Sequence, residues 1–315
     1  MYHPYFRGKQ YELITVRELA PLMSNVGFRP IIEPVREGLS GLHKALNAVA
    51  EADGKAILIV NPRHGDLSED GSSLTDLLRE EFQDLSGIAA GILLTGTISA
   101  DDAWKLYQEH SEHSPVFIHA GFVDAKGLSL KLGKPKASHY HVFLDQFCGK
   151  LYRKQFDGAH RVLVKNGFHR KRNADYDPLE SFSDLHATFE DDGMDGFGDF
   201  LIVGDDFTEG GGPAYAVAIH LTYIDADQFD AMWIHHFVSD TQDTPKDPAG
   251  KFAEALAKMM AVLNKKDCQV LETTAVKEYR SLHKHGHFPG LGYVKKLSMN
   301  HHIETLADYF AKQKT

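Results

Sequence analysis

Short apolar runs alternate along this chain with longer stretches in which apolar positions recur every three to four residues. The strand-like runs are PIIEPV at 30–35, AILIVNP at 56–62, AAGILLTG at 89–96, PVFIHAGF at 115–122, HVFLD at 141–145, HRVLVKNGF at 160–168 and DFLIVGDDF at 199–207. Helical spacing fills most of the gaps. Tyr11, Ile14, Leu19 and Leu22 share one face of a helix predicted over 8–24, and further helices are predicted over 40–54, 74–85 and 99–113. Near-continuous apolar strands separated by helices imply a parallel sheet covered on both faces. The number of runs and the chain length favour an α/β fold of the closed (β/α)8, TIM-like type over an open doubly wound sheet. No GxGxxG follows the first run, which points the same way.

The late sequence breaks this rhythm. Residues 214–224 and 232–240 both alternate like strands and read as a β-hairpin inserted near the last strands, the second of the two closing the barrel. Extra C-terminal helices are predicted over 251–263, near 274–283 and from Ser298. No linker-like or low-complexity stretch divides the chain, so a single domain over 1–315 is expected.

Composition narrows the setting. The first residues lack the apolar segment of a signal peptide, no run approaches membrane-spanning length, and Cys148 and Cys268 are the only cysteines. These features fit a cytoplasmic protein without a disulfide framework or a membrane partner. A net charge of −10 argues against sequence-blind binding of nucleic acid, which needs a positive face. Charge is uneven, however: residues 150–172 carry eight Lys or Arg against Asp157 alone, and 190–209 are strongly acidic. Such runs serve either as solvated faces or as a rim for an anion.

Barrel loops converge at the C-terminal ends of the strands, where ligands meet side chains. The runs above end in Glu33, in Asn61 with Arg63 and His64, in Thr95, in His119, in Asp145, in Lys165 with Asn166, and in Asp205 with Asp206; His235 and His236 stand on the last expected strand. Glu33, Asp145, Asp205 and His236 form the candidate catalytic group, as acids, bases or holders of a cation. Asn61, Arg63, His119 and Lys165 form the candidate ligand-binding group, its two cations suited to a phosphate or carboxylate. Strand ends also meet water, so each of these residues has an equally ordinary explanation. None of the nineteen histidines shows HExxH or finger spacing, HKHGH at 283–287 included, so neither metal nor cofactor is specified. EGGGP at 209–213 reads as a hairpin loop, since no GK[ST] follows it.

YFRGKQYELITVREL followed by RPIIEPV, with FGDFLIVGDDF and the terminal LSMNHHIETL, resembles prokaryotic relatives of the phage Beta-protein family. The resemblance spans most of the chain. It implies a barrel-like α/β protein from phage, mobile-element or defence neighbourhoods, encoded beside a protein partner, and brings no reaction or catalytic residues with it. Three functions follow as expectations. The first is a barrel that binds, and hydrolyses or modifies, a small anionic, nucleotide-like ligand at its mouth. The second is a non-catalytic interaction subunit for a neighbouring effector. The third is nucleic-acid binding through 150–172. In the terminal segment, one histidine of the His301–His302 pair is expected to be buried as a hydrogen-bonding anchor of the last helix.

Overall fold

The computed structural model of the chain describes residues 1–83, 87–134, 136–210, 212 and 214–313. It forms two compact units, residues 1–166 with 188–200, and residues 167–187 with 201–315. The first unit runs β1 (Tyr2–Phe6), α1 (Gln10–Val26), β2 (Ile31–Ile32), α2 (Ser40–Glu51), β3 (Ala56–Ile59), α3 (Ser72–Glu81), β4 (Ile88–Thr95), α4 (Ala100–Glu109), β5 (Val116–Ala120), α5 (Ala125–Leu132), β6 (Tyr140–Leu144), α6 (Lys150–Arg153) and β7 (His160–Val164). The chain then leaves for β8 (Leu179–Ser183) and returns through α7 (Leu185–Thr188) to β9 (Gly196–Asp199). Strands β1 to β7 and β9 pair in parallel, and β9 pairs back to β1 to close an eight-stranded barrel. Asp84 and Leu85, at the end of the helix expected over 74–85, lie outside the described residues.

The barrel follows from strands that are apolar on both faces. Ile57, Ile59, Ile118, Val142, Leu144 and Val164 fill its interior. Their neighbours Phe117 and Phe143 point the other way and are equally buried. Burial on both sides removes any need for polar alternation, and that is why these strands read as continuous apolar runs.

Two barrel strands differ from those expected. Of the run at 199–207 only Asp199 is in a strand, as the last residue of β9 (GFGD), and Leu201, at a φ of 50°, begins a turn. The missing strand is β1, at the very start of the sequence. Neither strand of the late hairpin closes the barrel. Closure depends on Gly198, where an added Cβ would sit 2.2 Å from the His3 carbonyl oxygen and 3.0 Å from Val164 Cγ2. Strands β1 and β7 approach that position because no side chain stands there.

The second unit holds an antiparallel sheet in the order β10–β11–β8, with β10 (Ala218–Asp225) and β11 (Ala231–Val238) forming the hairpin. Ile219, Leu221 and Phe237 pack in one core with residues of α8 (Pro248–Leu263), α9 (Thr274–His285) and α10 (Leu291–Gln313). Asp247 caps α8 and Thr273 caps α9 through side-chain hydrogen bonds to first-turn N–H groups, fixing where each begins. His301 and His302 are both fully buried on α10. The His301 Nε2–H donates to the Thr222 carbonyl at 2.7 Å, and its Nδ1 is 2.9 Å from Thr273 Oγ1. The Nδ1 of His302 lies 3.0 Å from Thr222 Oγ1. This pair anchors α10 within the C-terminal unit. No described helix is long and apolar enough to cross a membrane.

Candidate functional site

Two strand ends meet inside the C-terminal mouth of the barrel. Side chains alternate along a strand, so Tyr5 and Ile31 face the interior and the next positions on that face are Arg7 and Glu33. The Glu33 carboxylate is fully buried. Its Oε2 accepts from the Tyr5 hydroxyl at 2.8 Å and from Arg7 Nη1, and its Oε1 accepts from the Arg63 backbone N–H at 3.0 Å. Arg7, itself 3% exposed, has its guanidinium carbon 4.9 Å from the Tyr5 ring centre and 5.3 Å from that of Phe200. Burial, and then the Glu33 charge, hold the Tyr5 phenol well above its ordinary pKa, so it stays a donor. Three donors thus converge on Glu33, and its carboxylate works as an anchor for β1, β2 and the loop after β3.

That loop presents Arg63. Its guanidinium carbon lies 5.2 Å from the Phe147 ring centre, and its Nε–H donates to His64 Nε2 at 3.1 Å. Gly8 supports the same corner: at a φ of +63° it lies against the Glu33–Pro34 backbone, where a Cβ would come within 3.1 Å of the Glu33 carbonyl oxygen. After β6, Asp145 is half exposed, and its Oδ1 accepts from the buried Arg153 at 3.1 Å. Lys165, just after β7, is exposed, while its backbone N–H donates to the Gly198 carbonyl and extends the β7–β9 ladder.

The remaining candidates fall elsewhere. Asn61 bridges strands: its Nδ2 donates to the Leu93 carbonyl at 2.9 Å, and its Oδ1 accepts from the Leu93 N–H at 2.7 Å. It thereby replaces a ladder residue that β3 lacks. Asn61→Leu is expected to leave both Leu93 groups unpaired and cost about 2 kcal/mol, read as a lower melting temperature. An unchanged melting temperature would assign Asn61 to a purely solvent-facing role.

His119 lies between the sheet and the helices. Its Nδ1 is 2.7 Å from the Tyr152 hydroxyl, its Nε2 shares a hydrogen bond with His141 Nδ1 at 2.9 Å, and Phe143 stacks on it at 4.8 Å. Burial pushes its pKa down to about 3. Cys148 donates to the His119 carbonyl, and burial raises its thiol to about 12, which makes it a poor nucleophile.

Asp205 and His236 belong to the C-terminal unit. The Nδ1 of His236 lies 2.7 Å from His220 Nδ1, Tyr176 stacks on it at 4.4 Å, and Glu180 Oε2 is 3.9 Å from its Nε2. Burial lowers His236 to about 4 and His220 well below the ordinary value, so both rings are neutral near pH 7. His283 and His285 occupy the last turn of α9, ended by Gly286 at a φ of 59°. Among the described residues, no three or more His, Cys, Asp or Glu are grouped to hold a metal ion. Glu209, Gly210 and Gly212 are exposed, and Gly211 and Pro213 of that tract lie outside the described residues.

Of the expected residues, then, the barrel brings together Glu33 and Arg63. Tyr5, Arg7 and Phe147 complete the cluster. The first two stand on or just after a strand that carried no periodic signal. Phe147 is a loop residue that becomes notable only once Arg63 lies over it. No protein-family model matches the chain, and no curated protein or solved structure does so.

Proposed function

We propose that the mouth of the barrel binds a small anionic, nucleotide-like ligand. The observation that carries this reading is Arg63 held over Phe147, with its backbone fixed by Glu33. A guanidinium can grip a phosphate with two parallel donors, and an exposed aromatic edge beside it suits a planar base. Lys165 on the opposite stretch of the rim supplies further positive charge. Glu33 acts by positioning Arg63, and Asp145, half exposed and paired with Arg153, is the carboxylate offered for acid–base work on a bound ligand. The test is calorimetry of the full chain against a panel of nucleoside mono-, di- and triphosphates. Arg63→Gln keeps the backbone N–H on Glu33 and is expected to weaken binding about tenfold or more. A panel without a binder below about 1 mM, or one indifferent to Arg63→Gln, would sink the reading.

A second reading, a subunit that docks on a neighbouring effector in a phage or defence setting, draws on a different observation. Val123, on the loop after β5, is 80% exposed, Leu151, on α6, is 78% exposed, and Phe147, between β6 and α6, is 42% exposed. Exposed apolar side chains on neighbouring segments are a usual mark of a protein contact. Val123→Ser with Leu151→Ser would abolish recovery of such a partner while leaving ligand affinity intact. Nucleic acid is less well supported. Within 150–172, Lys150 pairs with Asp192, Arg153 with Asp145, Arg161 with Asp157, Lys171 with Glu180 and Arg172 with Asp175, so much of that charge is already spent.

A further inference from the structure

A groove of about 310 Å³ lies between the N-terminal halves of α1 and α2, beside the loops that follow β1 and β2. Three cations line it: Arg17 from α1, Arg36 from the loop after β2, and Lys44 from α2. No carboxylate does. Arg36 has one ion-pair partner, Asp66, at 3.5 Å, with its own side chain 54% exposed. Among the described residues the side chains of Arg17 and Lys44 make no ion pair or hydrogen bond. In a chain with 44 acids and 34 Lys or Arg, three cations line one concavity with no acid among its lining residues, and together they set up a local positive potential.

The walls suit an anionic occupant. Leu13 and Ile14 give the groove an apolar flank, while Gly8, Gly38 and Gly41 leave backbone bare around it. Neither α1 nor α2 has a side-chain N-cap, a trait they share with α3 and α6, whereas Ser99, Asp124, Asp247 and Thr273 cap α4, α5, α8 and α9. The acid in the first turn of α1, Glu12, is buried and accepts from the Arg7 backbone N–H. The N-terminus of α2, with no acid in its first turn, adds to the positive potential that the three side chains set up.

We infer that this groove binds a phosphorylated small molecule carrying at least two negative charges, with Arg17, Arg36 and Lys44 on its phosphate oxygens and Leu13 and Ile14 against its body. A volume near 300 Å³ matches a ligand of sugar-phosphate to mononucleotide size. Arg63 and Phe147 do not line the groove, so it is distinct from the cluster those two residues form.

The experiment uses inorganic diphosphate as the probe and the full chain, titrated by calorimetry at low ionic strength. Saturable one-to-one binding is expected, weakened about tenfold or more by Arg17→Gln with Lys44→Gln and unchanged by Arg63→Gln. Both altered side chains are exposed and without partners, so circular dichroism should report an unaltered fold. Binding should also weaken steeply as salt rises, since the groove is open to solvent. Absence of saturable binding overturns the inference, as does binding that survives the double substitution. Loss with Arg63→Gln alone overturns it too, and assigns the anion to the mouth instead.

Discussion

Replacing Glu33 with alanine is expected to destabilise the barrel by about 3–5 kcal/mol. Glu33 is fully buried and Arg7 nearly so, and the guanidinium would be left in the interior without its counter-charge. The Tyr5 hydroxyl and the Arg63 backbone N–H would lose their acceptor at the same time. Removing both charges is a different matter. Arg7→Met with Glu33→Met exchanges a desolvated ion pair for apolar contact and is expected to recover most of the loss. Urea unfolding can follow the barrel by itself in a Trp233→Phe background, because Trp104 lies on α4 and Trp233 on β11. A Glu33→Ala loss below about 1 kcal/mol would mean that water reaches the pair and that Glu33 is no anchor.

Acidification gives the second large effect. His301 is fully buried, and burial holds it at about 4 against an ordinary 6.5. Its Nε2–H is tied to the Thr222 carbonyl and its Nδ1 faces the Thr273 hydroxyl, so the folded chain accommodates the neutral ring. Between pH 6.5 and 4 the unfolded chain therefore binds the proton that the folded chain refuses. Stability is then full above pH 6.5 and falls as pH drops, by on the order of 3 kcal/mol for His301 at pH 4. His119, held at about 3 inside the barrel unit, adds a comparable loss that continues below pH 4. The melting temperature should be level from pH 8 to 6.5 and drop sharply by pH 4.5. His301→Gln, which cannot take up the proton, should lower the plateau and flatten the slope. An acid-insensitive melting temperature would show that these rings are hydrated in the folded chain.

The sequence reveals the barrel but misplaces its closure, and the reason lies in what β1 and β9 are made of. Six of the barrel's eight strands are apolar on both faces and stand out as runs. β9, reading GFGD, has two glycines where β1 and β7 crowd in, so it offers no apolar pattern at all. β1, reading YHPYF, contains Pro4 and lies beside no preceding helix that would set a rhythm. Meanwhile FLIV at 200–203 has the composition of a strand, yet residues 201–203 form a turn with Leu201 at a φ of 50°, and Phe200, Leu201 and Ile202 are nonetheless buried. The site was legible in proportion to its dependence on these strands. Glu33 and Arg63 follow well-marked runs and were evident; Arg7 and Tyr5 follow from β1 and were not. His119 looked like a mouth residue because sequence shows that a residue ends a strand, but not which face it points to.

β1 and β9 also set the order of events during synthesis. β1 finds β2 on one side within the first thirty-two residues, yet its other edge has no partner until residues 196–199 appear. At about 5–20 residues per second the ribosome needs roughly 10–40 s to supply them. For that interval the nascent barrel is an open, curved sheet with two unpaired apolar edges, each able to pair with a neighbouring chain. Production of this protein should consequently respond to the supply of chaperones that shield nascent chains more than to the stability of its finished fold.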